Sequence, residues 1–96
     1  MIVNRRTFRL KQGRAQAAAA AINASYAKDP GTQKVRWYIS DIGPFDTLVF
    51  EIEFQDIADY NKFWTTFDPG EDFWNTWFSF TDTGGTNEIW ELIYQN

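Results

Sequence analysis

The sequence predicts an α+β fold in which four strands form an antiparallel sheet and helices pack on one of its faces. Three observations predict it. Residues 46–55, DTLVFEIEFQ, alternate apolar and polar side chains with a period of two, the pattern of a half-buried strand. Residues 14–28 and the residues after Asp56 carry apolar side chains at helical spacing. The prolines and glycines fall almost entirely between these segments, at Pro30-Gly31, Gly43-Pro44, Pro69-Gly70 and Gly84-Gly85, where turns or helix ends are expected.

Taken in order, residues 2–10, IVNRRTFRL, are rich in β-branched and aromatic side chains and read as the first strand, ended by Lys11-Gln12-Gly13. In residues 14–28, Ala15, Ala18, Ala19, Ile22 and Tyr26 share one helical face. Alanine favours helix, and its small side chain lets this helix lie close to a sheet. Pro30-Gly31 stops it. Residues 34–42 alternate Val35, Trp37 and Ile39 against Arg36, Tyr38 and Ser40 and form the second strand. Residues 46–55 are the third, with Leu48, Phe50, Ile52 and Phe54 facing one way. Gly43-Pro44-Phe45 joins the two as a hairpin.

Asp56 is placed to cap a helix by accepting the free N–H groups of its first turn. Ile57, Tyr60, Phe63, Trp64 and Phe67 form the apolar face of that helix. A second helix start follows, with Asp68 at N-cap, Pro69 at N1 and Glu71 at the capping-box position. The continuation carries Phe73, Trp74, Trp77 and Phe78, and Thr83-Gly84-Gly85 is expected to end it. Residues 86–95 are expected as the fourth strand, with Trp90, Leu92 and Tyr94 on one face. The order strand-helix-strand-strand-helix-strand is the ferredoxin-like split βαβ arrangement. The second helix is broken and rich in aromatic residues. Residues 1–96 are expected to form one domain.

Composition narrows the chemistry. The 96 residues include no His and no Cys. Disulfides, thiol nucleophiles, His general bases and His/Cys zinc sites are therefore excluded. Nine Lys and Arg stand against thirteen Asp and Glu, a net charge of −4. Phosphate contacts dominate nucleic-acid affinity, and the one basic cluster, Arg5, Arg6, Arg9, Lys11 and Arg14, is split by strand alternation, which sends Arg5 and Arg9 to one face and Arg6 to the other. No nucleic-acid partner is expected. There is no apolar run long enough for a transmembrane helix and no apolar segment of a secretory leader. No membrane association is expected, and a cytoplasmic location is.

Among ferredoxin-like proteins, an RNA-recognition motif is disfavoured because Glu51 and Glu53 would repel phosphate from the third strand. Metal chaperones of this plan need Cys pairs. An acylphosphatase needs a phosphate-cradling loop, for which Lys11-Gln12-Gly13 has too few glycines. The chain resembles the NIPSNAP-like branch of the dimeric α/β-barrel superfamily. The resemblance lies in Arg6-Thr7-Phe8-Arg9-Leu10-Lys11-Gln12-Gly13, in Gly43-Pro44-Phe45-Asp46-Thr47-Leu48-Val49-Phe50-Glu51, and in Tyr60-x-x-Phe63-Trp64 followed by a Trp-rich stretch. It implies a homodimer in which two sheets pack face to face, and it implies little about chemistry. The residues support the dimer separately. With helices on one face, the other would expose Trp90, Leu92 and Tyr94 or the residues that alternate with them, and exposed apolar patches of that size usually mark an interface.

Candidate ligand-binding residues are Trp37, Tyr60, Trp64, Trp74 and Trp77, in an aromatic cluster with Phe63 and Phe78. Together they suit a pocket between sheet and broken helix for a small apolar or aromatic molecule, although rings at helical spacing also make ordinary core. Glu51 and Glu53 share a strand face and have the residue type for acid–base work, but polar-face ion pairs explain them as well. Asp68, Glu71 and Asp72 have oxygen ligands for a cation, but helix capping accounts for them. No metal or cofactor is expected. Some relatives in the superfamily are cofactor-independent monooxygenases whose sites use Asn, Trp, Tyr and Arg, types supplied here by Asn4, Arg6, Tyr38 and Tyr94. Haem-degrading relatives rely on a His ligand that this chain lacks. The expected function is small-ligand binding by a homodimer. The alternatives are a cofactor-independent monooxygenase or isomerase acting on an aromatic polyketide-like substrate, and a structural self-association module. No catalytic residue is assigned.

Overall fold

A computed structural model describes all 96 residues and orders them as β1 (Ile2–Leu10), α1 (Ala15–Lys28), β2 (Val35–Ile39), β3 (Thr47–Phe54), α2 (Ile57–Thr66), α3 (Glu71–Phe80) and β4 (Thr81–Glu91). The four strands form one antiparallel sheet in the order β2-β3-β1-β4. This is the ferredoxin-like arrangement, with the second helical segment divided into α2 and α3.

Register decides which side chains share a face. Asn4 lies opposite Ile52 and Ile89, Arg6 opposite Phe50 and Asn87, and Phe8 opposite Leu48 and Gly85. Trp37 lies opposite Phe50. These residues face the helices. Leu10, Leu48 and Phe80 are buried with Ala18 of α1, and Phe50, Ile52 and Phe54 are buried beneath Tyr60, Phe63 and Trp64 of α2. The alanines of α1 thus admit large rings from the sheet and from α3, as large-against-small packing requires. On the opposite face, Arg5 pairs with Glu51 and Glu88, Arg36 pairs with Glu51, and Trp90 lies beside Val3.

Local chemistry explains most boundaries. Asp56 caps α2 by accepting from the Asp59 N–H at 2.9 Å. The expected Asp68 cap of α3 does not form. Gly70 occupies the N-cap with φ 93° and no side-chain cap, so the chain turns there and the helix starts at Glu71. Glu71 and Asp72 then place negative charge in its first turn.

Strand four departs furthest from expectation. It starts at Thr81, directly after α3, and ends at Glu91. Gly84-Gly85 is therefore part of the strand and not the end of the helix. The β1–β4 register shifts between Phe8 and Leu10, and Gly85, at φ 124°, packs so closely on β1 that a Cβ would collide with the Thr7 carbonyl oxygen. Glycines mark bulges and close backbone approach in strands as well as turns. The strand ends at Glu91, opposite Ile2, where β1 begins. Leu92 still bonds the Met1 carbonyl oxygen through its N–H at 3.0 Å, but Leu92 and Tyr94 lie beyond the strand. Of the three residues expected together on the open face, Trp90 alone stands on it as part of a strand.

Candidate functional site

The sheet face beneath α2 carries a polar cluster set into an aromatic surround. Strand alternation places Asn4 and Arg6 on this face of β1, two residues apart. Asn87 enters from β4 opposite Arg6. Tyr60 and Trp64 descend from α2 one helical turn apart, which puts both on one side of that helix.

Asn4 is fully buried. Its Nδ2 donates to Asn87 Oδ1 at 2.7 Å and to the Glu88 carbonyl oxygen at 2.9 Å. Its Oδ1 accepts from Trp64 Nε1 at 3.1 Å and from Arg6 Nε at 3.3 Å. All four hydrogen-bonding positions of the amide are thereby used. Asn87 Nδ2 continues the chain to the Tyr60 hydroxyl at 3.3 Å. The Arg6 guanidinium carbon lies 3.7 Å from the Trp64 ring centroid, within cation–π range. One buried amide thus holds side chains from two strands and one helix in fixed relation: Arg6 of β1, Asn87 of β4 and Trp64 of α2.

The five expected ligand residues fall into three places. Tyr60 and Trp64 belong to the Asn4 cluster. Trp37 and Trp77 pack deeper, Trp37 stacked on Phe50 at 4.3 Å between centroids and Trp77 edge-on to Phe8 at 4.8 Å. Trp37 Nε1 is buried and donates to nothing in the chain. Trp74 lies at the outer end of α3, 38% exposed and stacked on Phe78. Contacts through Phe63, Phe67 and Phe73 join all three places into one aromatic network. Sequence reasoning did not single out Asn87. Only the β1–β4 register brings it to Asn4, and that register depends on the Gly84-Gly85 bulge.

The opposite face of the sheet is ionic. Arg5 Nη2 lies 2.6 Å from Glu51 Oε2, and Arg36 bridges Glu51 at 3.2 Å and Glu53 at 2.9 Å. Lys34 stands 3.6 Å from Glu53, and the Tyr38 hydroxyl donates to Glu51 at 3.0 Å. Burial acts to raise the Glu51 pKa, but hydrogen bonds from Arg5, Tyr38 and Arg36 outweigh it and hold the carboxyl below its ordinary value. The hydrogen bond to Glu53 is the main cause holding the Arg36 guanidinium firmly protonated. Both Glu51 and Glu53 are therefore tied up by cations. Two open concavities of about 350 and 360 Å³ lie on this face; Arg5 and Glu51 line both, and Trp90 lines the first. Tyr38 is part of this face, and Tyr94 lies outside both clusters, 79% exposed. Asp68 stands outside α3, while Glu71 and Asp72 sit in its first turn.

No protein-family model and no curated protein matches the sequence. Solved structures do match the fold. An uncharacterised NIPSNAP-like domain protein from Burkholderia xenovorans superposes with a TM-score of 0.79 at 16% identity, over 99% of this chain and 88% of that one. A NIPSNAP family protein from Agrobacterium tumefaciens superposes with a TM-score of 0.75 at 17% identity, over 98% and 88%. A further protein from Agrobacterium tumefaciens reaches 0.74 at 21% identity, over 95% and 92%. No helix of the chain is long and apolar enough to cross a membrane. The chain has the NIPSNAP-like form of the ferredoxin-like fold.

Proposed function

We propose that this protein is a homodimer that binds a small aromatic molecule between α2 and the sheet. The observation that carries the binding reading is the Asn4 amide, which spends all four of its hydrogen bonds on orienting Trp64, Arg6 and the β4 backbone and side chain. A buried polar network fixes the positions of its members, and small-molecule sites combine an apolar, aromatic wall with a few convergent polar groups. Tyr60 and Trp64 are the wall residues nearest that network. The rings of Trp37 and Trp77 stiffen it from behind.

The dimer reading rests on the other face. Trp90 is 53% exposed there, beside Val3 and the Arg5–Glu51 pair. Basic and acidic side chains alternate around it, so a second copy turned through a two-fold axis meets complementary charge and buries the indole. Only 11 of the 96 residues are buried in the single chain, which leaves ample apolar surface for association to cover.

Native mass spectrometry of protein purified from its host, beside a denatured run, tests both parts. A dimer mass with an excess that vanishes on denaturation is the expected result. A dimer without excess contradicts the ligand, and a monomer contradicts the dimer.

A further inference from the structure

Arg6 differs from every other arginine in the chain. Arg5, Arg9 and Arg14 are exposed, and Arg36 is partly buried but paired with Glu51 and Glu53. Arg6 is partly buried and lies within ion-pair distance of no carboxylate. Its Nε donates to Asn4 Oδ1. Its two terminal nitrogens donate to no group of the protein. The Trp64 ring covers one side of the guanidinium at 3.7 Å, and the terminal nitrogens keep their contact with solvent. The side chain is thus held in one orientation, from below by Asn4 and across its face by Trp64, with the terminal fork uncommitted.

The Tyr60 hydroxyl adds a second donor. It accepts from Asn87 Nδ2, which leaves its own proton free to donate. Arg6 and Tyr60 are tied to one another through Asn4 and Asn87, so the two donors are set by the same network. A guanidinium fork matches the two oxygens of a carboxylate, while the neighbouring Trp64, Phe63 and Phe67 rings suit a planar apolar body.

From this geometry we propose that the ligand is a planar aromatic anion, with a carboxylate or enolate oxygen held by Arg6 and Tyr60 and the ring lying against the Trp64–Phe67 aromatic pair. The proposal deepens the binding reading above and rests on it. It narrows the ligand from apolar aromatic molecules in general to those that carry an anionic oxygen.

Two probes of like shape separate the two claims. Isothermal titration measures 2-naphthoate and its neutral counterpart 2-naphthalenemethanol against the wild-type protein, Arg6→Gln and Arg6→Lys. The wild type is expected to bind the carboxylate about tenfold more tightly, in line with the greater strength of charge-assisted hydrogen bonds. Arg6→Gln is expected to remove that preference, so that the carboxylate binds no more tightly than the alcohol. Arg6→Lys, which keeps the charge but loses the fork, is expected to fall between them. Equal affinity of the wild type for both probes overturns the anion proposal and leaves the aromatic site standing. A preference that survives in Arg6→Gln also overturns it, because the anion is then read elsewhere. Failure of both probes to bind overturns the aromatic site and the anion proposal together. Unaltered circular dichroism of the variants shows that any loss is local, and Arg6→Lys supplies the comparison if Arg6→Gln does not fold.

Discussion

Arg6 and Trp64 come from different elements, lie 3.7 Å apart face to cation, and both donate to the single side-chain oxygen of Asn4. Their relation is therefore set by a third residue that is fully buried. That amide links α2 to β1 through Trp64 and β4 to β1 through Asn87 and Glu88.

Asn4→Ala leaves the Trp64 N–H, the Arg6 Nε and the Asn87 side chain without their partner. A buried polar group left unpaired costs roughly 1–3 kcal/mol. Urea unfolding should show a loss of about 2–3 kcal/mol with little change in slope. A loss below about 0.5 kcal/mol, the range typical of unconstrained surface positions, contradicts the network.

The opposite face makes stability fall in acid. Glu51 ordinarily titrates near 4.5 and is held lower in the folded chain. Its charged form therefore stabilises the fold at pH values above the unfolded pKa. That contribution is lost as pH drops through the lower folded value. Glu51→Gln should be less stable than wild type at pH 7, and the gap should close below about pH 4, past the ordinary carboxylate range. Chemical denaturation at several pH values reads the gap. A gap that is constant from pH 7 to pH 3 contradicts the ion-pair account.

Gly85 and Gly84 should differ sharply in their tolerance of a methyl group. At Gly85 the new Cβ meets the Thr7 backbone, which cannot move without breaking the β1–β4 ladder, whereas at Gly84 it meets the flexible Arg9 side chain. Both have positive φ, so both substitutions are strained. Gly85→Ala should cost about 3 kcal/mol or more and Gly84→Ala about 1–2 kcal/mol. Thermal unfolding of the two variants side by side gives the comparison, and equal melting temperatures contradict the placement of the bulge.

Trp90→Asp puts a charge where the proposed partner copy sits. Trp90 is already 53% exposed in the single chain, so the variant should remain folded while its mass in sedimentation falls from dimer to monomer. A folded Trp90→Asp dimer contradicts association through this face.

Much of the fold was legible because period-two and helical patterns report burial directly. The Leu48–Phe54 alternation placed β3, and Asp56 capped α2 as its position before an apolar helical face implied. Strand alternation also separated Arg6 from Arg5 and Arg9. Reading failed where one residue type serves two conformations. Gly84-Gly85 has the dihedral freedom of a turn but here lies within β4 at a bulge, so the strand starts at Thr81 and not at residue 86. Asp68 and Pro69 have the residue types of a helix start, but the positive φ of Gly70 defers the helix to Glu71. In the candidate site, Tyr60 and Trp64 were readable as an aromatic pair on one helix face. Their union with Asn4, Arg6 and Asn87 was not, because it depends on register between strands distant in sequence. Glu51 and Glu53 were visible as a pair of carboxylates, but their ion-pair partners come from two other strands and the loop before β2.

Ligand binding beneath α2 is read by a ¹⁵N-correlated NMR spectrum of the tryptophan indole N–H groups, recorded while 2-naphthoate is added. The five tryptophans sample the two faces separately, with Trp64 at the Asn4 cluster and Trp90 on the ionic face. Binding at the Asn4 cluster predicts that the Trp64 resonance moves most and that the Trp90 resonance stays in place. Movement confined to Trp90, or no movement at all, contradicts it.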